Sequence, residues 1–285
     1  LKNFTPSFGI DTSFIDITNL AAVEAAITPK TKVIYCESVS NPLLEVADIK
    51  ALSAIAKKHN LKLIVDNTFS PLSISPYKLG ADVIIHSLTK FINGSSDTVG
   101  GVVCGTQEFI NQLRDVNSGA CMLLGSTMDS FRSASILKNL RTLHIRMQQH
   151  SKNAQFLAER FELMRLKTVY PGLPSHPSHH IFKEVMNAEY GYGGMLTLDT
   201  GSLEKANELM ELMQHRNLGY LAVSLGFYKT LFSAPGSSTS SEIPEDEQKA
   251  MGLSDGLIRF SIGLDADIER TLMTMTDCMK EVGII

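Results

Sequence analysis

The chain has 285 residues, of which 44% are hydrophobic and 20% charged, and its net charge is −4. It has no basic cluster for a nucleic acid, no apolar run near the ~20 residues that span a membrane, and no secretory signal pattern. The four cysteines form no Cys-x-x-Cys pair and suit free thiols in a reducing compartment. We therefore expect a cytoplasmic protein, long enough for two domains, that acts on a small molecule or a protein.

The first half alternates short apolar strands with longer connections. A helix is predicted from an N-cap at Asp48 to His59, because its apolar residues fall on one face. Strands separated by a helix or a long crossover predict a mostly parallel sheet in an α/β domain. The predicted strands are Val33–Glu37, Leu61–Val65, Ala81–Ile85 and Val99–Cys104.

A long amphipathic helix, predicted from Thr127 to Leu157, separates this region from the second half. The Pro-rich segment Tyr170–His180 is predicted to be irregular. The order of elements predicts a smaller α+β domain and a division into residues 1–145 and 146–285. The later predicted elements are a strand at Gly194–Leu198, a helix at Leu203–Gln214, a strand at Leu257–Ile262 and a helix at Asp267–Val282.

Two reactive side chains follow predicted parallel strands. Asp66 ends the strand Leu61–Val65, and Lys90 lies shortly after the strand Ala81–Ile85. Ligands of open α/β sheets bind beyond the carboxyl ends of the strands, so both residues are expected at one rim of the sheet. Ser87 and Thr89 place two hydroxyls just before the lysine, and a Gly-rich loop follows it.

This set of groups is the one that pyridoxal 5′-phosphate (PLP) requires. A lysine amine forms an imine with the cofactor, a carboxylate keeps the pyridine nitrogen protonated, and hydroxyls hold the phosphate. The spacing alone also permits a solvated surface lysine and an aspartate that caps a helix. No nucleotide-binding glycine motif is present to support a nucleotide site.

At these residues the sequence resembles the Cys/Met-metabolism family of PLP enzymes, which includes cystathionine γ-synthase, cystathionine lyases, methionine γ-lyase and O-acetylhomoserine sulfhydrylase. The resemblance covers essentially the whole chain. It implies a fold type I large domain like that of aspartate aminotransferase, followed by a smaller α+β domain. The motifs are Glu37-Ser-Val-Ser-Asn-Pro42, Val65-Asp-Asn-Thr68, Asp82-x-x-x-His-Ser-x-Thr-Lys90-Phe, Tyr170-Pro-Gly-Leu173, Ala222-Val-Ser-Leu-Gly226 and Ile258-Arg-Phe-Ser-Ile-Gly263.

The resemblance implies a role for each matching residue. Lys90 resembles the Schiff-base lysine and Asp66 the partner of the pyridine nitrogen. Arg259 is similar to the arginine that binds the substrate carboxylate, a role that suits its planar guanidinium. The other implied contacts are Ser87 and Thr89 on the phosphate side, Asn41 near the cofactor hydroxyl and substrate carboxylate, and Ser224 beside the lysine.

The implied reaction is γ-elimination from L-methionine or a related thioether, giving an α-keto acid, ammonia and a thiol. The stretch Pro235–Glu242 resembles plant-type methionine γ-lyases, although Ser237-Ser-Thr-Ser240 has a serine where the family has a histidine, and Ser95 also departs from the common pattern. The alternative within the family is γ-replacement, as in cystathionine γ-synthase or an O-acylhomoserine sulfhydrylase.

The family's preceding segment supplies a Tyr-x-Arg pair, a phosphate cup and a tyrosine stacked on the pyridine ring. None of these is found in residues 1–285, so we expect an N-terminally incomplete chain. It is then either an active lyase, in a family-like homotetramer of catalytic dimers, or a catalytically silent truncated subunit. The histidines at positions 176, 179 and 180 match a family loop without a metal role, so no metal site is expected.

Overall fold

The computed structural model describes residues 1–236, 246, 248 and 251–285. Within them the helices are α1 Leu20–Ala25, α2 Ile49–Lys58, α3 Gln107–Leu113, α4 Ala120–Leu124, α5 Ser130–Leu140, α6 Leu143–Leu163, α7 His179–Val185, α8 Leu203–His215 and α9 Ile268–Glu281. Short 3₁₀ turns occur at Thr5–Phe8 and Pro76–Leu79. No helix of this described part is long and apolar enough to cross a membrane.

The first sheet has four strands in the order β1, β2, β3, β4. They are β1 Val33–Glu37, β2 Lys62–Asp66, β3 Val83–Ser87 and β4 Gly101–Cys104. The first three run parallel, and β4 pairs with β3 in the antiparallel direction. The prediction of a mostly parallel sheet is confirmed, with an antiparallel strand at its edge.

Helix α2 makes the crossover that keeps β1 and β2 parallel. Its N-cap is the predicted Asp48, whose carboxylate accepts a hydrogen bond of 3.0 Å from the Ala51 backbone N–H. Ile49, Leu52 and Ala56 are buried on one face of the helix. The helix therefore covers the sheet with the apolar stripe that the sequence shows.

The second sheet has five strands in the order β5, β6, β9, β8, β7. Every residue of its central strand β9 is buried, so a side chain on β9 reaches the surface only through a pocket. The strands are β5 Lys167–Val169, β6 Met195–Asp199, β7 Tyr220–Leu221, β8 Leu231–Ser233 and β9 Leu257–Ser261. All pairs are antiparallel except β7 with β8.

The prediction of one long helix from Thr127 to Leu157 is wrong, because α5 and α6 are separate helices. The break lies at Arg141–Thr142. The Asn139 carbonyl would accept the next helical hydrogen bond, but it accepts bonds from the Thr142 N–H, the Thr142 hydroxyl and the Arg146 guanidinium. These competing donors end the first helix and allow the chain to turn.

The Pro-rich segment is irregular as far as Ser178, and α7 begins at His179, two residues earlier than expected. His176 Nε2 lies 3.1 Å from the Leu44 carbonyl oxygen, and His179 Nδ1 lies 2.9 Å from that of Pro171. In the described ranges no three His, Cys, Asp or Glu side chains are grouped as they would be around a metal ion. These histidines are therefore part of the local packing.

All four cysteines are free. Cys36 and Cys278 are buried and Cys121 is intermediate, whereas Cys104 is exposed on the edge strand β4. No residue of β4 is buried, so the apolar pattern around Cys104 does not bury that thiol.

Buried hydrophobic residues form two clusters. The first lies around α2 and the four-stranded sheet, and the second lies between the five-stranded sheet and helices α6, α8 and α9. Helix α6 contributes to both, with Leu143 and Met147 in the first cluster and Leu157 and Phe161 in the second. It therefore joins the two packed regions through side-chain contacts at its opposite ends.

The substitution Phe260→Ala tests the importance of the second cluster. Phe260 is fully buried on β9, so its truncation should lower the free energy of unfolding by about 3–5 kcal/mol. Phe14→Ala, at a ring that is 64% exposed, should change it by no more than about 0.5 kcal/mol. Urea unfolding followed by circular dichroism measures both, and equal effects would contradict the assignment of this core.

Candidate active site

The three parallel strands end in polar residues at one edge of the first sheet. β1 ends at Glu37, β2 at Asp66 and β3 at Ser87, and Glu37 lies directly beside Asp66 in the strand register. A pocket of about 210 Å³ opens at this edge. Its lining residues are Glu37, Val39, Asn41, Asp66, Thr68, Phe69, Ser87, Lys90, Val223, Leu225 and Arg259.

Lys90 lies on a tight turn, Leu88–Ile92, directly after β3. Its backbone angles are not helical, and the next two residues, Phe91 and Ile92, are buried. The Leu88 N–H donates to the Gly100 carbonyl at 2.9 Å, which ties the start of the turn to the chain that enters β4. The turn thereby directs the Lys90 side chain into the pocket while its neighbours pack in the core.

The Lys90 amine donates a hydrogen bond of 3.1 Å to the Ser224 hydroxyl. Burial, followed by the nearby Arg259 cation, lowers the pKa of Lys90. Both effects disfavour the ammonium form, so this amine loses its proton more readily than an exposed lysine does. A lysine in this state can act as a nucleophile or as a base.

Arg259 enters the pocket from β9 and is only 2% exposed. Its Nη1 donates to the Asn41 side-chain oxygen at 2.7 Å, and its Nη2 donates to the Ser224 carbonyl at 3.3 Å. Burial lowers the pKa of the guanidinium to about 10, which leaves it charged at neutral pH. The buried Nε has no partner, so the group retains a donor for a bound anion.

The Asp66 carboxylate is held by two donors. The Thr68 backbone N–H donates to Oδ1 at 2.9 Å, and the Tyr35 hydroxyl donates to Oδ2 at 3.3 Å. Burial, followed by the charge of Asp66, raises the pKa of the Tyr35 phenol, so Tyr35 remains a proton donor. These contacts fix the orientation of a carboxylate that faces the pocket.

The two predicted hydroxyls on the phosphate side have different environments. Ser87 lines the pocket, and its backbone N–H donates to the Thr68 hydroxyl at 2.8 Å. The Thr89 hydroxyl is instead bonded to Gly100, accepting from the backbone N–H at 3.0 Å and donating to the carbonyl at 3.4 Å. The structure thus brings Ser87, but not the Thr89 hydroxyl, to the wall of the pocket.

Two polar residues of the pocket were missed at the level of sequence, Glu37 and Thr68. Glu37 accepts a hydrogen bond of 2.8 Å from the Asn41 backbone N–H. Partial desolvation in the pocket raises its pKa, that hydrogen bond opposes the rise, and the Asp66 charge adds to it. Glu37 ends a parallel strand as Asp66 does, so the argument that located Asp66 would also have located Glu37.

Comparison with known proteins relates this pocket to a family. Residues 1–273 match the family described as Cys/Met metabolism PLP-dependent enzyme. The chain belongs to this family.

Relatives of this PLP-dependent family support the assignment. A methionine gamma-lyase of Arabidopsis thaliana is 45% identical over 273 residues, which are 95% of this chain and 62% of that protein. A cystathionine beta-lyase of Lactococcus lactis is 38% identical over 277 residues, 96% of this chain and 70% of that protein. The chain therefore spans about three fifths of the length of the Arabidopsis relative and somewhat more of the bacterial one.

A solved structure of the family has the same fold. The crystal structure of cystathionine gamma-lyase from Lactobacillus plantarum complexed with L-serine superposes with a TM-score of 0.86 at 33% sequence identity. The superposition covers 98% of this chain and 72% of that one. The predicted fold type I architecture is confirmed. The serine-rich stretch 237–242, which also resembled the family, lies outside the described residues.

The pocket residues fit the cofactor of the family, PLP. The pocket contains an amine with a lowered pKa, a carboxylate oriented by two donors, and a buried guanidinium with an unpaired donor. These groups suit the aldehyde, the pyridine nitrogen and a substrate carboxylate, respectively. Ser87 and Thr68 also line the pocket, and hydroxyls of this kind suit a phosphate.

Removal of the Arg259 charge should raise the pKa of Lys90. In Arg259→Gln the burial of Lys90 remains but the neighbouring cation is lost, so the ammonium form becomes easier to keep. The pH dependence of Lys90 methylation in cofactor-free protein, followed by mass spectrometry, measures this shift. Arg216→Gln, at an arginine that pairs with Glu281, is the control. An unchanged or lower Lys90 midpoint in Arg259→Gln contradicts the coupling.

Proposed function

We propose that the protein is a PLP-dependent carbon–sulfur lyase that catalyses γ-elimination on L-methionine or a related thioether. The observation that carries the proposal is the convergence of Lys90, Asp66 and Arg259, from two different sheets, on one pocket. With water as the second reactant, the products are an α-keto acid, ammonia and a thiol. The names of relatives such as the Arabidopsis methionine gamma-lyase support this choice of reaction.

When bound, PLP supplies an electron sink that stabilises negative charge on the substrate α-carbon. In our proposal Lys90 holds the cofactor covalently and Asp66 keeps its ring nitrogen protonated. The hydrogen bonds from Tyr35 and Thr68 orient the Asp66 carboxylate for that contact. Ser87 contributes a hydroxyl to the phosphate side.

Arg259 is proposed to bind the substrate carboxylate, and Asn41 to hold the guanidinium in place for it. A guanidinium can form two parallel hydrogen bonds with a carboxylate, which fixes the α-carbon relative to the lysine. The L-serine in the Lactobacillus structure is an amino acid of the same general form as the proposed substrate.

Lys90 is proposed to move protons once its amine is free. The lowered pKa favours the neutral form of the amine, which can accept the α-proton and return a proton further along the substrate chain. The Ser224 hydroxyl, 3.1 Å away, keeps the amine beside the substrate position while it does so. The thiol then leaves from the γ-carbon.

Three further features belong to the proposal. The division into domains 1–145 and 146–285 is supported by the two sheets, whose strands lie within 33–104 and 167–261 respectively. Assembly as a tetramer of catalytic dimers is supported by exposed apolar side chains on α4 and α5, with Leu124 72% and Phe131 87% exposed. A cytoplasmic location is supported by the four free thiols.

Replacement of the cofactor lysine tests the proposed function directly. Wild-type protein with PLP should absorb in the visible range and, after borohydride reduction, carry the cofactor on the peptide that contains Lys90. Lys90→Ala should lose this attachment and the release of α-keto acid from methionine. Lys50→Ala, at an exposed lysine paired with Glu184, should retain both. A wild-type protein that attaches no PLP would refute the proposal.

The same assay separates the alternative reactions. Release of α-keto acid from methionine, supplied as the sole substrate, supports γ-elimination on methionine. If α-keto acid forms from cystathionine but not from methionine, the substrate is that of the cystathionine lyases. Formation of a new thioether from an O-acylhomoserine and cysteine assigns γ-replacement instead.

Arg259→Lys should weaken substrate binding more than turnover. Lysine keeps a positive charge but cannot bind a carboxylate through two parallel bonds. We expect KM for the amino acid to rise by about ten- to a hundredfold while kcat falls less, the range that follows from a loss of about 1.5–3 kcal/mol. Steady-state kinetics measures this, and an unchanged KM contradicts the proposed role of Arg259.

A further inference from the structure

At the end of the turn that carries Lys90, two backbone carbonyls accept no hydrogen bond from within the turn. Within the turn the Asn93 N–H donates to the Leu88 carbonyl at 2.9 Å, and the Gly94 N–H donates to the Lys90 carbonyl at 2.8 Å. The carbonyls of Phe91 and Ile92, the two residues directly after the lysine, point instead toward helix α6. Carbonyls at the end of such a turn require a partner from elsewhere in the chain.

Arg146, in the first turn of α6, supplies that partner. Its Nη1 donates to the Phe91 carbonyl at 2.5 Å, and its Nη2 donates to the Ile92 carbonyl at 2.8 Å. Nη2 also donates to the Asn139 carbonyl at 3.2 Å, and Nε donates to the Thr142 hydroxyl at 3.0 Å. The planar guanidinium thus bonds two successive carbonyls through its two terminal nitrogens.

The half-buried Arg146 forms no ion pair with a carboxylate of the described residues. Burial lowers the pKa of its guanidinium. Its stabilising contacts are therefore neutral dipoles, and three of the four acceptors are backbone carbonyls. An arginine whose charge is used in this way fixes backbone position rather than neutralising an acid.

The other sides of the turn are also closely packed. A Cβ at Gly226 would lie 2.3 Å from the Phe91 backbone nitrogen, and the φ of this glycine is +75°, so no other residue fits there. The His150 ring packs edge-on against Phe91, with 5.1 Å between the ring centroids. Gly226 on one side and Arg146 on another leave the peptide after Lys90 little room to move.

We infer that Arg146 is a positioning residue for Lys90. By holding the carbonyls of Phe91 and Ile92, its guanidinium fixes the direction in which the Lys90 side chain leaves the backbone, toward Ser224 and the pocket. Arg146 is not among the residues that line the pocket, and its hydrogen bonds go to Phe91, Ile92, Asn139 and Thr142. This inference rests on the proposed function, because it assigns the fixed lysine to cofactor attachment.

Three variants of the full-length protein test the inference. Arg146→Met removes the hydrogen-bond donors while keeping the side-chain length. Arg146→Lys keeps the positive charge but cannot donate to both carbonyls through two nitrogens. Arg160→Met makes the same chemical change on the same helix, at an exposed arginine that lies over Phe156. Thermal unfolding establishes that each variant is folded.

The main measurement is the rate at which added PLP becomes fixed to Lys90, followed by its visible band and by the mass of the borohydride-reduced peptide. Arg146→Met should slow attachment by about ten- to a hundredfold, as a misplacement of about 1 Å does, and Arg146→Lys should fall between it and wild type. kcat should fall with attachment while KM stays within about twofold, because Arg259 is untouched. Arg160→Met should match wild type.

A folded Arg146→Met that attaches PLP at the wild-type rate overturns the inference. If Arg146→Met does not fold, Arg146→Lys decides, and wild-type attachment by that variant overturns the inference equally. Hydrogen exchange at the Asn93 and Gly94 amides, measured without cofactor, should be faster in the Arg146 variants than in Arg160→Met. If the wild-type protein attaches no PLP but exchange is still faster in the Arg146 variants, the proposed function is refuted. The contact by which Arg146 fixes the turn is then established all the same.

Discussion

The hydrogen bond between Arg259 and Asn41 joins the two halves of the pocket. Arg259 lies in the central strand of the second sheet, while Asn41 follows the first strand of the other sheet, 218 positions earlier in the chain. A buried guanidinium is destabilising unless it is hydrogen-bonded, so its position depends on Asn41 and on the Ser224 carbonyl. Ser224 in turn accepts a hydrogen bond from Lys90. The placement of all these groups therefore depends on how the two sheets are held relative to each other at the pocket.

The pocket contains side chains of both charges. The two cationic groups, Lys90 and Arg259, face two carboxylates, Glu37 and Asp66, that end neighbouring parallel strands. The Arg259 charge adds to the effect of burial in lowering the pKa of Lys90, while Arg259 itself, with a pKa of about 10, stays charged at neutral pH. Arg259 can therefore bind an anion, and its charge favours the neutral form of the neighbouring amine.

Local sequence patterns were sufficient for the strands of the first half and for the expectation that Asp66 and Lys90 lie at one edge of the sheet. These depend on short-range signals, namely apolar runs, an N-cap at Asp48 and the rule that parallel strands end at one edge. Arg259 and Ser224 were placed only through family resemblance, because no local pattern relates residues near 224 and 259 to a lysine at position 90. The break after Leu140 was missed since it arises from side chains that capture the Asn139 carbonyl, a contact that periodicity does not reveal.

The hydrogen bonds between Gly100 and the turn at Leu88 and Thr89 have a consequence for insertions and deletions. These bonds join the two ends of the loop that follows Lys90, and Arg146 holds the start of that loop through the Ile92 carbonyl. Residues 96–99 form the tip of the loop, and their side chains are exposed or half-buried. Lengthening such a closed loop is inexpensive, about 0.6 kcal/mol for each doubling. The tip can therefore change in length without moving the lysine, whereas one added residue within β4 would reverse the faces of its side chains.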